Sequence, residues 1–235
     1  MVRKTAVPVK QSDFNFLRSL AKNNDRDWFT EHREEFETAQ KNFLELVAGL
    51  IFVLSEHDDS VSNIDPKSCL FRIYRDVRFS KNKAPYKTHL AAFICADGKK
   101  SDIVPGYYVH VEPGGRSLFG AGYYRPAKPV LAELQKNIAS PSSRIVKLLA
   151  DKTLRKAFPD LSDDDKLARV PRGFDKNHPQ AELLKLKHVF LLTSLSDQTM
   201  VKKTVLQDLG KLAEPLCRWN LTLAEIGALH KRRQT

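Results

Sequence analysis

Tyr107-Tyr108-Val109-His110-Val111-Glu112-Pro113-Gly114-Gly115-Arg116-Ser117-Leu118-Phe119-Gly120-Ala121-Gly122-Tyr123-Tyr124 is the stretch on which the fold turns. β-Branched and aromatic residues on either side of a glycine pair predict two antiparallel strands, 107–112 and 117–124. With Gly114-Gly115 as a two-residue turn, Tyr107 faces Gly122, Val109 faces Gly120 and Val111 faces Leu118. An aromatic side chain covering a strand glycine is a stabilising pair. Alternatively, a glycine lets a ligand or a helix approach the sheet.

Period-two patterning continues upstream, predicting further strands over 70–79 and 89–95, and His188 to Thr193 is apolar enough for a fifth. N-terminal to the sheet, Ser12-Asp13 opens a short helix to Leu20. After Asn23-Asn24, a long helix is predicted from Asp25 to Ser55, since Phe29, Phe36, Phe43, Val47, Leu50 and Leu54 recur at helical spacing. Beyond Pro129 the pattern is mostly helical, with a last amphipathic region from Gln198 interrupted near Pro215 and Asn220. The expectation is one α+β domain over 1–235: N-terminal helices over 12–55, an antiparallel sheet over 70–124, and a mainly helical 129–230 with one further strand. About five strands are expected in all.

The 235 residues carry a formal net charge of +11. No apolar run approaches the ~20 residues of a transmembrane helix, so no membrane association is expected. The basic residues of Met1–Lys10 have no apolar segment behind them, unlike a signal peptide. Cys69, Cys95 and Cys217 are far apart and form no CxxC, which points to core thiols in a reducing, cytoplasmic setting. No metal ligand set or cofactor motif is expected. HExxH, GxSxG, P-loop and dinucleotide fingerprints do not occur.

Charge is concentrated between Lys67 and Lys100, where nine cations meet two acids. A field of one sign attracts anions. If 70–79 is a strand, Arg72, Tyr74, Asp76 and Arg78 form a polar row. Arg75 instead shares the core parity of Ile73 and Val77 and needs a dedicated partner: Asp27, Glu37 or backbone carbonyls. The loop Ser80-Lys81-Asn82-Lys83-Ala84-Pro85-Tyr86-Lys87-Thr88-His89 adds lysines, hydroxyls and a histidine. Arg forks with Lys point charges suit phosphate or carboxylate. The expected ligand-binding residues are therefore Arg72, Tyr74, Arg75, Arg78, Lys83, Tyr86, Lys87, His89 and Arg172. The candidate acid–base groups are Asp76, His110, which shares strand parity with Glu112, and His178. A solvated basic face is the bland alternative.

Several blocks together resemble the domain of unknown function 2461 family. They are Phe14-Asn15-Phe16-Leu17, Asn23-Asn24-Asp25-Arg26-Asp27-Trp28-Phe29, the run Arg72 to Thr88, Pro105-Gly106-Tyr107-Tyr108-Val109-His110, Gly120 to Pro126 and Pro171-Arg172-Gly173-Phe174. The resemblance covers nearly the whole chain. It implies a bacterial-type conserved protein, supports the position of the site, and offers no reaction. The leading expectation is a site for a phosphate- or carboxylate-bearing small molecule, with catalysis open. The rivals are a nucleic-acid-binding module stacking bases on Tyr74, Tyr86 and Tyr108, and an adaptor that docks a protein on the long helix.

Overall fold

The computed structural model describes residues 9–162 and 165–232; residues 1–8, where a signal segment was sought, lie outside them. The N-terminal layer comprises α1 (Gln11–Lys22), α2 (Arg26–Glu31), α3 (Arg33–Ser55) and the single turn α4 (Pro66–Cys69). The sheet begins with β1 (Leu90–Ile94), β2 (Gly106–Val111) and β3 (Ser117–Tyr123). Helices α5 (Lys128–Ala139), α6 (Arg144–Leu149) and α7 (Lys152–Ala157) follow, then the two-residue β4 (Asp160–Leu161) and the short α8 (Ala181–Leu184). β5 (Val189–Leu195), α9 (Asp197–Met200) and α10 (Val205–Arg232) complete the chain.

Four full strands pair antiparallel in the order β1-β2-β3-β5, and β4 adds a two-residue ladder to the outer side of β5. The sheet thus has four full strands where five were expected. The missing one is 70–79, which the sequence reads as a strand. It makes only isolated bridges, Leu70 to Ala92 and Tyr74 to Tyr86. Phe71 N–H donates to Ala91 O, Arg75 N–H to Pro85 O and Lys87 N–H to Ile73 O. The segment folds back on 85–88 and touches the edge of β1 without joining it.

The predicted long helix is two helices. His32 breaks it with φ −104°, and both its backbone N–H and its Nδ1 lie within hydrogen-bonding distance of Trp28 O, the ring stacking on the indole at 3.9 Å. The turn brings Phe29 and Phe36 together at 5.1 Å. In the opposite sense, α10 runs unbroken through Pro215. It packs along α3, α5 and β3, and buried Trp219 donates its indole N–H to Ala121 O. That tertiary packing outweighs the one hydrogen bond a proline removes. Gly49 is where α3 and α10 touch most closely: a Cβ there would lie 2.5 Å from Leu206 Cδ1.

The hairpin register differs by one residue from a two-residue turn. Tyr107 pairs with Ala121, Tyr108 with Gly120 and Val109 with Phe119. Asp197 holds the connection. Its carboxylate accepts the N–H groups of Gly114 (3.0 Å) and Gly115 (2.8 Å) and is itself paired with Arg18 at 2.7 Å. Residues 112–116 form a five-residue connection in place of the tight turn. A one-residue slip exchanges faces along β3. Phe119, Ala121 and Tyr123 therefore join Tyr107, Val109 and Val111 in the main core, and Gly120 lies on the other face, opposite Tyr108.

All helical packing of the main core is on that first face, against Leu90, Ala92 and Ile94 of β1 and Val189 and Leu191 of β5. The alternate residues, Phe93, Tyr108, Phe190 and Leu192, form a second, smaller cluster with Cys95, Val104 and Phe71. The three cysteines are buried free thiols, and no helix among the described residues is long and apolar enough to cross a membrane.

Within the main core Phe43 is 2% exposed, whereas Phe36 is only half-buried. Phe43→Ala is expected to cost ~3–5 kcal/mol in urea unfolding, and Phe36→Ala about half of that. Unchanged stability in both, with loss of self-association, would return the long helix to an interaction role.

Candidate functional site

The second sheet face carries a cleft of about 600 Å³. Its floor is apolar: Ala91 and Phe93 from β1, Phe190 and Leu192 from β5, and Phe71 from the irregular segment beside the edge. Phe93 and Phe190 lie 6.4 Å apart across the floor. Strand alternation makes this inevitable, since neighbours of core-facing residues must point to the opposite side. Lys87, Lys99, Lys100 and Arg125 supply four cations around the rim, with Asp102 the single carboxylate among the described lining residues. Lys87 is anchored by donating to Arg72 O and lies 5.5 Å from the Phe71 ring centroid; burial and the charge of Arg72 lower its pKa. Lys99 donates to Leu70 O. A second hollow of about 770 Å³ continues from Phe71, Lys99 and Lys100 past Arg72 to Gln40 and Lys41 of α3.

At one end of the cleft stands a polar chain. Tyr108 and His110 share a face of β2, and Glu112 follows two residues on. The Tyr108 hydroxyl is 2.9 Å from His110 Nδ1, and His110 Nε2 is 2.9 Å from Glu112 Oε2. An ionised carboxylate only accepts, so His110 carries its proton on Nε2, and Nδ1 accepts from the Tyr108 O–H. Arg116 at 2.9 Å and the Thr88 hydroxyl at 3.3 Å hold Glu112 Oε1. His89 stacks on His110 with ring centroids 4.1 Å apart.

Burial sets the charge states. Desolvation, reinforced by His110, lowers the His89 pKa to about 4, and desolvation lowers that of His110 despite the Glu112 carboxylate. Desolvation also pushes the Tyr108 phenol up to about 12. Burial works to raise Glu112, but the His110 hydrogen bond and the charge of Arg116 outweigh it and hold the carboxyl below its ordinary value. At neutral pH the group comprises two neutral imidazoles, a protonated phenol and one carboxylate.

The other sequence-predicted residues do not converge here. Arg75 is half-buried and reaches neither Asp27 nor Glu37; it donates from Nη1 to Ala84 O (2.8 Å) and from Nη2 to Ser80 Oγ (3.4 Å). Of the partners expected for it, a backbone carbonyl is the one found, although 70–79 makes only isolated bridges. Lys83 donates to Val77 O, and Arg78 forms an exposed fork with Asp76. That fork takes the Asp76 carboxyl down to about 2, well below the range of a general base working near neutrality. Tyr86 is buried, stacked on Phe29 at 4.0 Å and hydrogen-bonded through its backbone to the Asn24 side chain. Tyr74, at 49% exposure, packs beside it. His178 accepts from Gln180 N–H at Nδ1, and its Nε2 faces Ala139 O at 3.2 Å, which ties its loop to the end of α5. Arg172 is exposed on its loop.

Of the predicted residues, Lys87 and His89 line the cleft, His110 stands behind His89, and Arg72 borders the adjoining hollow. Lys99, Lys100, Tyr124, Arg125 and the aromatic floor were not singled out from sequence as ligand contacts. Lys99-Lys100 belongs to the basic run, but neither its position nor that of Arg125 is legible before the loops close around the sheet.

The fold and the cleft define an α+β protein with its described helices packed on one face of the sheet and a cation-rimmed cleft on the other. The chain belongs to the family described as conserved hypothetical protein (DUF2461), whose model matches residues 12–220. Comparison with curated proteins and with solved structures finds no match.

Loop contacts predict a ranking among the cations. Arg75→Ala removes charge-assisted bonds to half-buried acceptors and is expected to cost about 1–2 kcal/mol. Arg78→Ala breaks an exposed, solvent-screened pair and should cost clearly less. Arg75→Lys should recover part of the loss. Urea denaturation of the three variants checks the order, and equal values for Arg75→Ala and Arg78→Ala would refute it.

Proposed function

We propose that the open sheet face binds a small amphipathic anion, with an apolar body on Phe93 and Phe190 and a phosphate or carboxylate met by the rim cations. The observation that carries this reading is the pairing of an apolar floor with Lys87, Lys99, Lys100 and Arg125 in one cleft. Ligand sites are typically concave and mostly apolar, with a few placed polar groups. Cations held by backbone carbonyls, as Lys87 and Lys99 are, lose less freedom on binding than free lysines.

The size of the cleft supports a small molecule over a polymer, as does the burial of Tyr86, which removes one of the expected base-stacking surfaces. Burial of Phe43 removes the apolar stripe on which an adaptor reading rested. Arg75, Arg78 and Lys83 serve the loop in this reading, and their charge contributes at a distance.

Phenyl phosphate and inorganic phosphate are the probes, titrated by calorimetry. Phenyl phosphate is expected to bind at least roughly tenfold more tightly, because its ring leaves water for the aromatic floor. Lys99→Ala and Arg125→Ala should each weaken phenyl phosphate by about tenfold, and Phe190→Ala should narrow the gap between the probes. Equal binding of both probes, indifferent to these variants, would refute the reading. So would a tight interaction with labelled oligonucleotides that falls steeply with salt.

A further inference from the structure

The imidazoles and the carboxylate at the end of the cleft form a ligand set that no sequence motif announces. β1 and β2 pair Leu90 with Val111 and Ala91 with His110. Continuing that register one step places His89 across from Glu112. His89, His110 and Glu112 each bring one ligand atom within 4.8 Å of the other two. The three come from two adjacent strand ends on one face, so the backbone holds them at fixed separation.

From this arrangement we infer that His89, His110 and Glu112 bind one divalent transition-metal ion, of the class of zinc, ferrous iron or manganese, with its open positions facing the cleft. Two imidazoles and one carboxylate suit these ions, and three protein ligands leave room for water or a ligand oxygen. The inference goes beyond anion binding and does not depend on it.

Two of the ligands are supported from behind. Tyr108 oxygen lies 2.9 Å from His110 Nδ1, the contact that orients a metal-bound histidine. Arg116 and Thr88 occupy Glu112 Oε1, leaving Oε2 to coordinate. Binding requires two local changes. The His110 proton shifts from Nε2 to Nδ1 and is donated to Tyr108 oxygen, whose own hydrogen turns away. His89 turns out of its stack on His110 so that the nitrogen lone pairs converge, closing the set to the ~3–3.5 Å separations that bonds of ~2.1 Å imply. His89 is at the end of the loop and only half-buried, which permits that rotation. A purely structural role, with Glu112 fixing His110 and His89 packing on it, requires no metal affinity.

The test uses the full chain freed of metal by chelator dialysis, titrated with zinc and with cobalt in competition with a chromophoric chelator. The expected result is one equivalent bound at micromolar affinity or better, with cobalt giving visible bands of histidine–oxygen coordination. His89→Ala and Glu112→Gln should each weaken binding at least tenfold, and Tyr108→Phe by about tenfold. Metal should raise the Tm of the wild type and leave that of His89→Ala unchanged. His110→Ala alters a buried position, so His89→Ala and Glu112→Gln, checked for native circular dichroism, decide the matter. Absence of stoichiometric binding, or binding equally strong in these two variants, overturns the inference. Phenyl phosphate titrated into the metal-free protein is read separately, so either reading can fail alone.

Discussion

The described helices cover the sheet on one face only, and most of the structure follows from that. α3, α5 and α10 bury Tyr107, Val109, Phe119, Ala121 and Leu191 completely. Strand alternation then forces Phe93, Tyr108, Phe190 and Leu192 onto the face that none of the described helices covers. Such a surface must be shielded by loops or used for binding. Here loops do part of the work: Phe71 and Val104 close in from the side, and the remaining hollow is the cleft.

The basic segment shows how composition can be read too directly. Its cations look like an excess offered to a ligand. The segment is irregular, however, and its carbonyls lack ladder partners; buried or not, those carbonyls need donors. Arg75 answers Ala84, Lys83 answers Val77, Lys87 answers Arg72 and Lys99 answers Leu70. Much of the positive charge is therefore recruited by the chain's own backbone. The same bonds hold Lys87 and Lys99 at the cleft rim, so a structural demand and a binding surface coincide.

The polar end of the cleft depends on equally indirect causes. Glu112 lies beside His110 because both follow β2 parity, which is local. His89 meets them only through the pairing of β1 with β2. Desolvation by this packing keeps both rings neutral, while Arg116 keeps Glu112 ionised. Separation of charge states within one small group is what distinguishes it from an ordinary surface cluster.

By itself the sequence determined the α+β class, the long N-terminal helical layer, strands near 89–95, 107–112, 117–124 and 188–193, the buried thiols, and the shared face of His110 and Glu112. These depend on periodicity and local chemistry, which neighbours in the chain carry. Tertiary structure alone decided the rest. Asp197, more than eighty residues from the turn, binds the Gly114 and Gly115 amides of a hairpin whose register lies one residue from that of a two-residue turn. The shift moved Gly120 from the core face to the open face. Packing of α10 overrode Pro215, and at His32 the chain divides a helix that apolar spacing alone reads as continuous. The hairpin connection and the unbroken α10 both involve partners distant in the chain, and no local pattern specifies which distant side chain will supply them.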